Sequence, residues 1–316
     1  MSWGRSRRAR SRGDSRDRAA RTLSSDVRPP LRGPAVRELG LPLPGRGDSA
    51  VGPGAPRIPL MRAGRPLKRW RWVGAFGPDL MLCAGHARIG PLPQRWWVVV
   101  ERDGDLTERT SVGSAGLALS GDAVRVESRS ARIDVRFEAD AGGEAVEVVS
   151  PSGSGDGWIW TRKVAGLPAR GTVELDGRRR SVELEAVIDD SAGYHERHTA
   201  WRWTVGVGRA ETGERVAWNL VAGVHDGASA SERTVWVNGA ATEVGRAEFA
   251  ADLSRVEVDG GGTLDFTEWA AREHRTNVVV MRSAYRQPFG TFAGELPGGL
   301  RLAEGYGVME EHDVRW

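Results

Sequence analysis

The side chains best equipped for chemistry crowd into residues 188–208, IDDSAGYHERHTAWRWTVGVG. The stretch opens on acidic and small residues, Asp189-Asp190-Ser191-Ala192-Gly193, which read as a turn, and ends on the alternating run 201–207, which reads as a strand. Residues two apart on a strand share a face. Tyr194, Glu196 and His198, with Ala200 and Arg202, then point one way, and His195, Arg197, Thr199, Trp201 and Trp203 the other. Glu196 is placed to orient the His198 imidazole or raise its pKa, and Tyr194 to donate a hydrogen bond to a substrate oxygen. General acid–base catalysis needs such groups beside an apolar wall, so Tyr194, Glu196 and His198 are the candidate catalytic residues. The competing reading is a polar network that ties strands together, or a solvated face. A bulge at Gly193 would shift the whole register.

A second polar cluster closes the chain, Glu310-Glu311-His312-Asp313, with Glu310 and His312 on one face. His195, Trp201, Arg202, Asn219, Glu310 and His312 are the expected ligand contacts. Strand geometry separates His195 from His198 and no thiol pair exists, so no metal site is expected. No GxGxxG, GxxxxGK[ST] or GxSxG motif occurs, which leaves nucleotide binding and a nucleophile elbow without support and no cofactor expected. Cys83, the single cysteine, excludes an internal disulfide and sits in the apolar run 80–84, where a buried inert thiol is expected.

The elements that must position these groups are short strands. Arg132-Ile133-Asp134-Val135-Arg136-Phe137 alternates charged and apolar residues, as a strand with one wet and one dry side does. Asp176-Gly177 and Asn238-Gly239 are hairpin-turn dipeptides. Only residues 267–274 look helical, and briefly; residues 287–294 read as a glycine-rich bend. About eighteen to twenty short strands with regular turns argue for an all-β protein. The expected architecture is two antiparallel β-barrels or sandwiches packed together, over residues 58–175 and 176–316, with a seam near 163–185. Three indole pairs, Trp70/Trp72, Trp158/Trp160 and Trp201/Trp203, each present two rings on one face. Two of the pairs are expected in the core, while a pair in a barrel interior would wall a ligand cavity.

Residues 1–57 are rich in Arg, Ser, Pro and Gly and are expected to be disordered, with residues 36–39 a short element that docks on the body. Residues 1–32 hold ten Arg against three Asp, a net of +7, so the remaining residues sum to −4 within the overall +3. The body therefore gives no electrostatic reason for nucleic-acid binding, and an arginine-rich arm that binds an acidic partner is an alternative confined to the tail. No segment approaches the length of a membrane span, and no apolar stretch follows Arg7-Arg8 as an export signal requires. A soluble, cytoplasmic protein is expected, and its oligomeric state is left open.

Several segments carry a resemblance: residues 68–90, WTRK at 160–163, residues 191–208, NLV at 219–221, FGTFAGELPGG at 289–299 and YGVMEEHDVRW at 306–316. Together they resemble a bacterial family defined as domain of unknown function 2804. More distantly, Gly193-Tyr194-His195-Glu196-Arg197-His198 is similar to the G-Y-x-D-H-x-W segment of lipocalin-like double-barrel proteins, the group of carotenoid hydratases, tocopherol cyclases and pericyclase-type enzymes. Glu196 stands at the acidic position and Arg197 where that segment has His. The resemblance implies a pocket associated with two β-barrels that takes an apolar, lipid- or isoprenoid-like molecule. It also implies the alternative of a hydratase, cyclase or isomerase of the same architecture.

Overall fold

A computed structural model describes residues 30–45, 49–52, 54–153, 157–278 and 281–316. The chain begins with β1 (Leu31–Arg32), α1 (Ala35–Glu38), β2 (Met61–Arg62) and β3 (Arg65–Pro66). The first large sheet holds β4 (Lys68–Phe76), β5 (Leu80–Ile89), β6 (Leu92–Glu101), β7 (Leu106–Ser111), β8 (Leu117–Leu119), β9 (Ala123–Glu127), β10 (Ala131–Phe137), β11 (Val146–Ser152), β12 (Gly157–Leu175) and β13 (Arg178–Gly193). The second holds β14 (His198–Ala210), β15 (Arg215–Ala222), β16 (Thr234–Val237), β17 (Ala240–Glu243), β18 (Ala247–Phe249), β19 (Arg255–Val258), β20 (Thr263–Val278), β21 (Met281–Leu296) and β22 (Leu300–Arg315).

Both sheets follow one plan. The first runs β7-β6-β5-β4-β13-β12-β10-β9-β8 and the second β17-β16-β15-β14-β22-β21-β20-β19-β18. In each, the opening long strand lies against the closing one, β4 on β13 and β14 on β22, so the sheet curls into an antiparallel half-barrel. The all-β reading with two β-units holds. Strand β10 alternates buried and exposed residues without a break, as its sequence does.

Three apolar clusters follow from the curl. One belongs to the first sheet alone (Val73, Leu82, Trp97, Val135) and one to the second alone (Trp218, Leu220, Phe292, Met309). The third joins the sheets face to face through Trp72, Cys83, Val98, Trp203, Val205 and Phe289. A strand buried on both faces loses the wet–dry alternation, and β4 and β5 are buried along most of their length.

Three boundaries differ from the sequence expectation. The sheet changes between Gly193 and His198, not at 175/176, because the two-residue turn Asp176-Gly177 folds β13 back along β12 within the same sheet. Residues 267–274 belong to β20, where a bulge between Glu268 and Ala270 breaks the parity that looked helical. Residues 287–294 lie within β21, paired with β20.

Of the extension expected to be unstructured, residues 1–29 lie outside the described residues. Described residues between 30 and 58 pack onto the first sheet: β1 pairs with β11, and Val36 and Ala50 are buried in a cluster with Trp158, Trp160 and Tyr194. Arg37 Nε donates to Glu147 Oε2 (2.6 Å). A few well-spaced apolar side chains suffice to dock a segment whose composition reads as linker. Among the described residues no helix is long and apolar enough to cross a membrane.

Candidate functional site

Where the two sheets face each other a cavity of about 190 Å³ remains. Period-2 geometry builds it. Trp70 and Trp72 of β4, Trp96 of β6, and Trp201 and Trp203 of β14 turn toward it, and Trp316 closes one edge. Six of the thirteen Trp of the chain therefore wall one space. Lys68, Ile89, His274, Ser283 and Val314 mark its mouth, and Trp72, Lys163, Asp189, Trp203 and Glu310 its floor. The Trp72 and Trp203 rings meet edge to face at 5.1 Å between centroids and join the sheets below the floor.

One glycine makes room for this wall. A Cβ on Gly85 would lie 2.1 Å from Trp96 Cζ2, so the indole rests directly on the β5 backbone. Gly85→Ala is expected to push Trp96 into the cavity, visible as a shift of the tryptophan emission spectrum; an unchanged spectrum would count against this packing.

The floor carries two polar groups. In the first, Glu310 Oε1 accepts from Trp201 Nε1 (2.8 Å), and Oε2 accepts from Tyr285 Oη (3.0 Å) and Gln287 Nε2 (2.7 Å). Burial pushes the Glu310 carboxyl up to about 7, against the pull of the Trp201 and Tyr285 hydrogen bonds. A chain irregularity supports this geometry. The β21–β22 pairing skips from Arg286–Glu311 to Phe289–Val308, over Gln287 and the N–H-less Pro288. Cys83 Sγ donates to Gln287 Oε1 (3.5 Å), fixing the amide so that its N–H faces Glu310. Burial raises the Cys83 thiol to about 12, which keeps it protonated.

The second group centres on Lys163, 2.7 Å from Asp189 Oδ1 and 3.4 Å from Glu232 Oε1. Desolvation, the largest influence on each, would neutralise both partners; the two acids hold the Lys163 ammonium above its ordinary value, while Asp189 stays raised. Trp70 Nε1 also donates to Asp189 Oδ2 (3.3 Å). His195 and His312, both in the wall, are held neutral by burial, His312 down to about 4. Among the lining residues, the buried polar atoms without a hydrogen-bond partner include Trp96 Nε1, Trp316 Nε1, Thr161 Oγ1 and Glu232 Oε2.

Residues 106–316 match the family model for a domain of unknown function, DUF2804. The chain belongs to this family. The match begins at β7, so β4–β6, which supply three of the cavity's indoles, precede it. Among curated proteins, none matches the chain. Solved structures of similar shape include an AttH-like protein of Nitrosomonas europaea, 12% identical at a TM-score of 0.50 over 84% of this chain and 98% of that one. Kievitone hydratase of Nectria haematococca is 10% identical at a TM-score of 0.46, over 77% and 88%. CghA is 13% identical at 0.40, over 90% and 97%. At such identities the likeness is one of fold, that of lipocalin-like half-barrel proteins, the relationship the sequence suggested.

In this DUF2804 chain the expected site residues divide. His195, Trp201, Glu310 and His312 line the cavity. Glu310 and His312 share a face as expected, and β22 lies beside β14 with Trp203 opposite Glu310 and Trp201 opposite His312. Asn219 sits one layer back, accepting from Trp203 Nε1 (2.7 Å) and donating to Glu232 O (2.9 Å), so it sets the indole rather than touching the space. Arg202 points away, its Nε donating to Glu311 Oε1 (2.9 Å).

Tyr194, Glu196 and His198 do not meet. β13 ends at Gly193 and β14 starts at His198, so residues 194–197 form the crossing between sheets and face counting does not apply to them. Tyr194 is buried under the N-terminal segment, with Oη donating to Pro59 O (2.7 Å). Glu196 is exposed, and His198 pairs with Asp313 on the surface (3.0 Å). Of the indole pairs, Trp158/Trp160 is core, while Trp70/Trp72 and Trp201/Trp203 line the cavity, with Trp72 and Trp203 also buried in the cluster that joins the sheets. Lys163, Asp189, Glu232, Tyr285 and Gln287 were not singled out by sequence. For Lys163, Asp189 and Gln287 the available signal was a charge or amide within a strand; Glu232 lies in the loop before β16.

Proposed function

We propose that the cavity between the half-barrels binds an apolar small molecule, lipid- or isoprenoid-like in its body and bearing a polar group. One observation carries this reading: six indoles leave a space where the two sheets face each other, and buried donors and acceptors of its lining have no protein partners. Buried polar groups are otherwise paired, so a ligand atom or ordered water must complete them. Incubating the full chain with a lipid extract and examining it by native mass spectrometry should retain a small-molecule adduct. Trp96→Leu, which opens the wall, should lower its occupancy at least about tenfold, in the range of losing an aromatic anchor, with circular dichroism checking that the variant folds. The absence of any adduct, or an adduct indifferent to Trp96, would refute the reading.

A second reading, an enzyme of hydratase, cyclase or isomerase type at the same place, is favoured by Glu310. A carboxyl with a pKa near neutrality on the floor of an apolar cavity suits proton transfer. On this reading Glu310 takes the acid–base role first given to Glu196 and His198.

A further inference from the structure

Several buried cations meet acids: Arg71 and Arg162 share Asp190, Lys163 has Asp189 and Glu232, and Arg272 has Glu108, while buried Arg233 donates to the Val244 and Gly227 carbonyls. The mouth of the cavity breaks this habit. Lys68 is buried, yet among the described residues its ammonium finds only the His195 carbonyl (3.2 Å) and the face of Trp316 (4.5 Å). Arg69 and Arg88 stand directly opposite each other on β4 and β5, on the face that Arg71 shares and Trp70 does not, so they flank the rim of the cavity rather than point into it. Arg69 has one long contact to Pro56 O (3.4 Å), and Arg88 Nε is buried with no partner. No carboxylate of the described residues lies within ion-pair distance of these three.

Burying a cation without a counter-ion costs several kcal/mol, and proteins seldom leave one so. The cost shows in the groups themselves. Burial and Arg65 hold the Lys68 ammonium down to about 8. Burial, reinforced by Arg95, Arg88 and Arg69, holds His86 down to about 4. A charge distribution that lacks its counter-ion beside an apolar cavity describes a ligand with both parts.

We propose that the ligand is an amphiphile whose head is an oxyacid anion, a carboxylate or a phosphate, seated at the mouth on Lys68 and on the partnerless N–H of Trp316 beneath it, with its hydrocarbon body between the indoles. This rests on the reading of the cavity as an apolar ligand site and adds the chemistry of the head. From Lys68 to Trp72 the strand covers roughly 13 Å at ~3.3 Å per residue, a depth that an eight-carbon chain can occupy.

The test uses the full chain at pH 7 with octanoate, octyl phosphate, octan-1-ol and inorganic phosphate, followed by tryptophan fluorescence and calorimetry. At least one anionic octyl probe should bind about tenfold or more tighter than octanol, as charge-assisted hydrogen bonds imply. That ratio should fall toward one in Lys68→Met, and also in high salt. Circular dichroism confirms that the variant folds. Octanoate against octyl phosphate separates the two heads. Octanol binding as tightly as both anions, a ratio that survives in Lys68→Met, or inorganic phosphate binding as tightly as octyl phosphate would each overturn the proposal. If no octyl probe binds the folded wild type, the apolar-site reading itself fails.

Discussion

Asp190→Ala is expected to cost about 3–5 kcal/mol of stability, the toll of removing one partner from a buried ion network. Asp190 is fully buried; Oδ1 accepts from Arg71 Nε (2.9 Å), and Oδ2 from Arg71 Nη2 (2.8 Å) and Arg162 Nη2 (2.9 Å). Both guanidinium groups are nearly inaccessible, so the variant strands two charges without the carboxylate they share. The loss spreads outward. The backbone N–H of Ala50 donates to Asp190 (3.3 Å) and Arg162 Nη1 to Gly45 O (2.7 Å), so the same acid anchors the N-terminal segment. Urea unfolding should show the destabilisation, and limited proteolysis should cut residues 40–57 faster. A combined Arg71→Met/Asp190→Leu/Arg162→Met chain should recover most of the stability, because a packed apolar triad avoids desolvation. A loss below about 1 kcal/mol for Asp190→Ala, the range of a surface ion pair, would show that water reaches the network.

The same residue marks the limit of what the sequence discloses. Asp189-Asp190-Ser191-Ala192-Gly193 has turn composition, yet it continues β13. The strand is held by partners far along the chain: Asp189 faces Lys163 in the cavity, and Asp190 faces Arg71 and Arg162 on the other side. Local propensity is silent about such pairings. Alternation, by contrast, survives wherever one face stays wet, and β10 was legible for that reason. Alternation also paired Glu310 with His312, since β22 is a regular strand there. It failed for Tyr194, Glu196 and His198 because a period of two has no meaning in a crossing between sheets. The indole pairs were visible as pairs, but which face each would meet depends on how two half-barrels dock. Tyr285 and Gln287 were hidden by Pro288, which argues against a strand in sequence but is tolerated where the ladder to β22 is already interrupted.

Glu310→Gln should reverse a pH dependence of stability. The folded carboxyl sits near 7, against an ordinary value of 4.5. A carboxyl raised in this way binds its proton more tightly when folded. Its contribution is therefore fully present below pH 4.5 and is lost as the pH climbs to about 7, amounting to roughly 3 kcal/mol at 1.36 kcal/mol per pKa unit. His86 and His312, each held to about 4, act with the opposite sign, losing stability as the pH falls from 6.5 to 4. The wild type alone would blend these slopes. The difference between wild type and Glu310→Gln isolates the carboxyl: the wild type should lose ground steadily between pH 4.5 and 7 and the difference should flatten above. A difference curve without slope would place the group in contact with bulk water and remove its claim to chemistry. With the slope present, Glu310 is half-protonated near neutrality, so it can give or take a proton beside a bound hydrocarbon without leaving an unpaired charge. Gln holds the shape and lacks the proton. Any turnover at this site should then fall at least about a hundredfold in Glu310→Gln, the usual worth of a general acid or base, while binding of a non-reacting amphiphile changes far less.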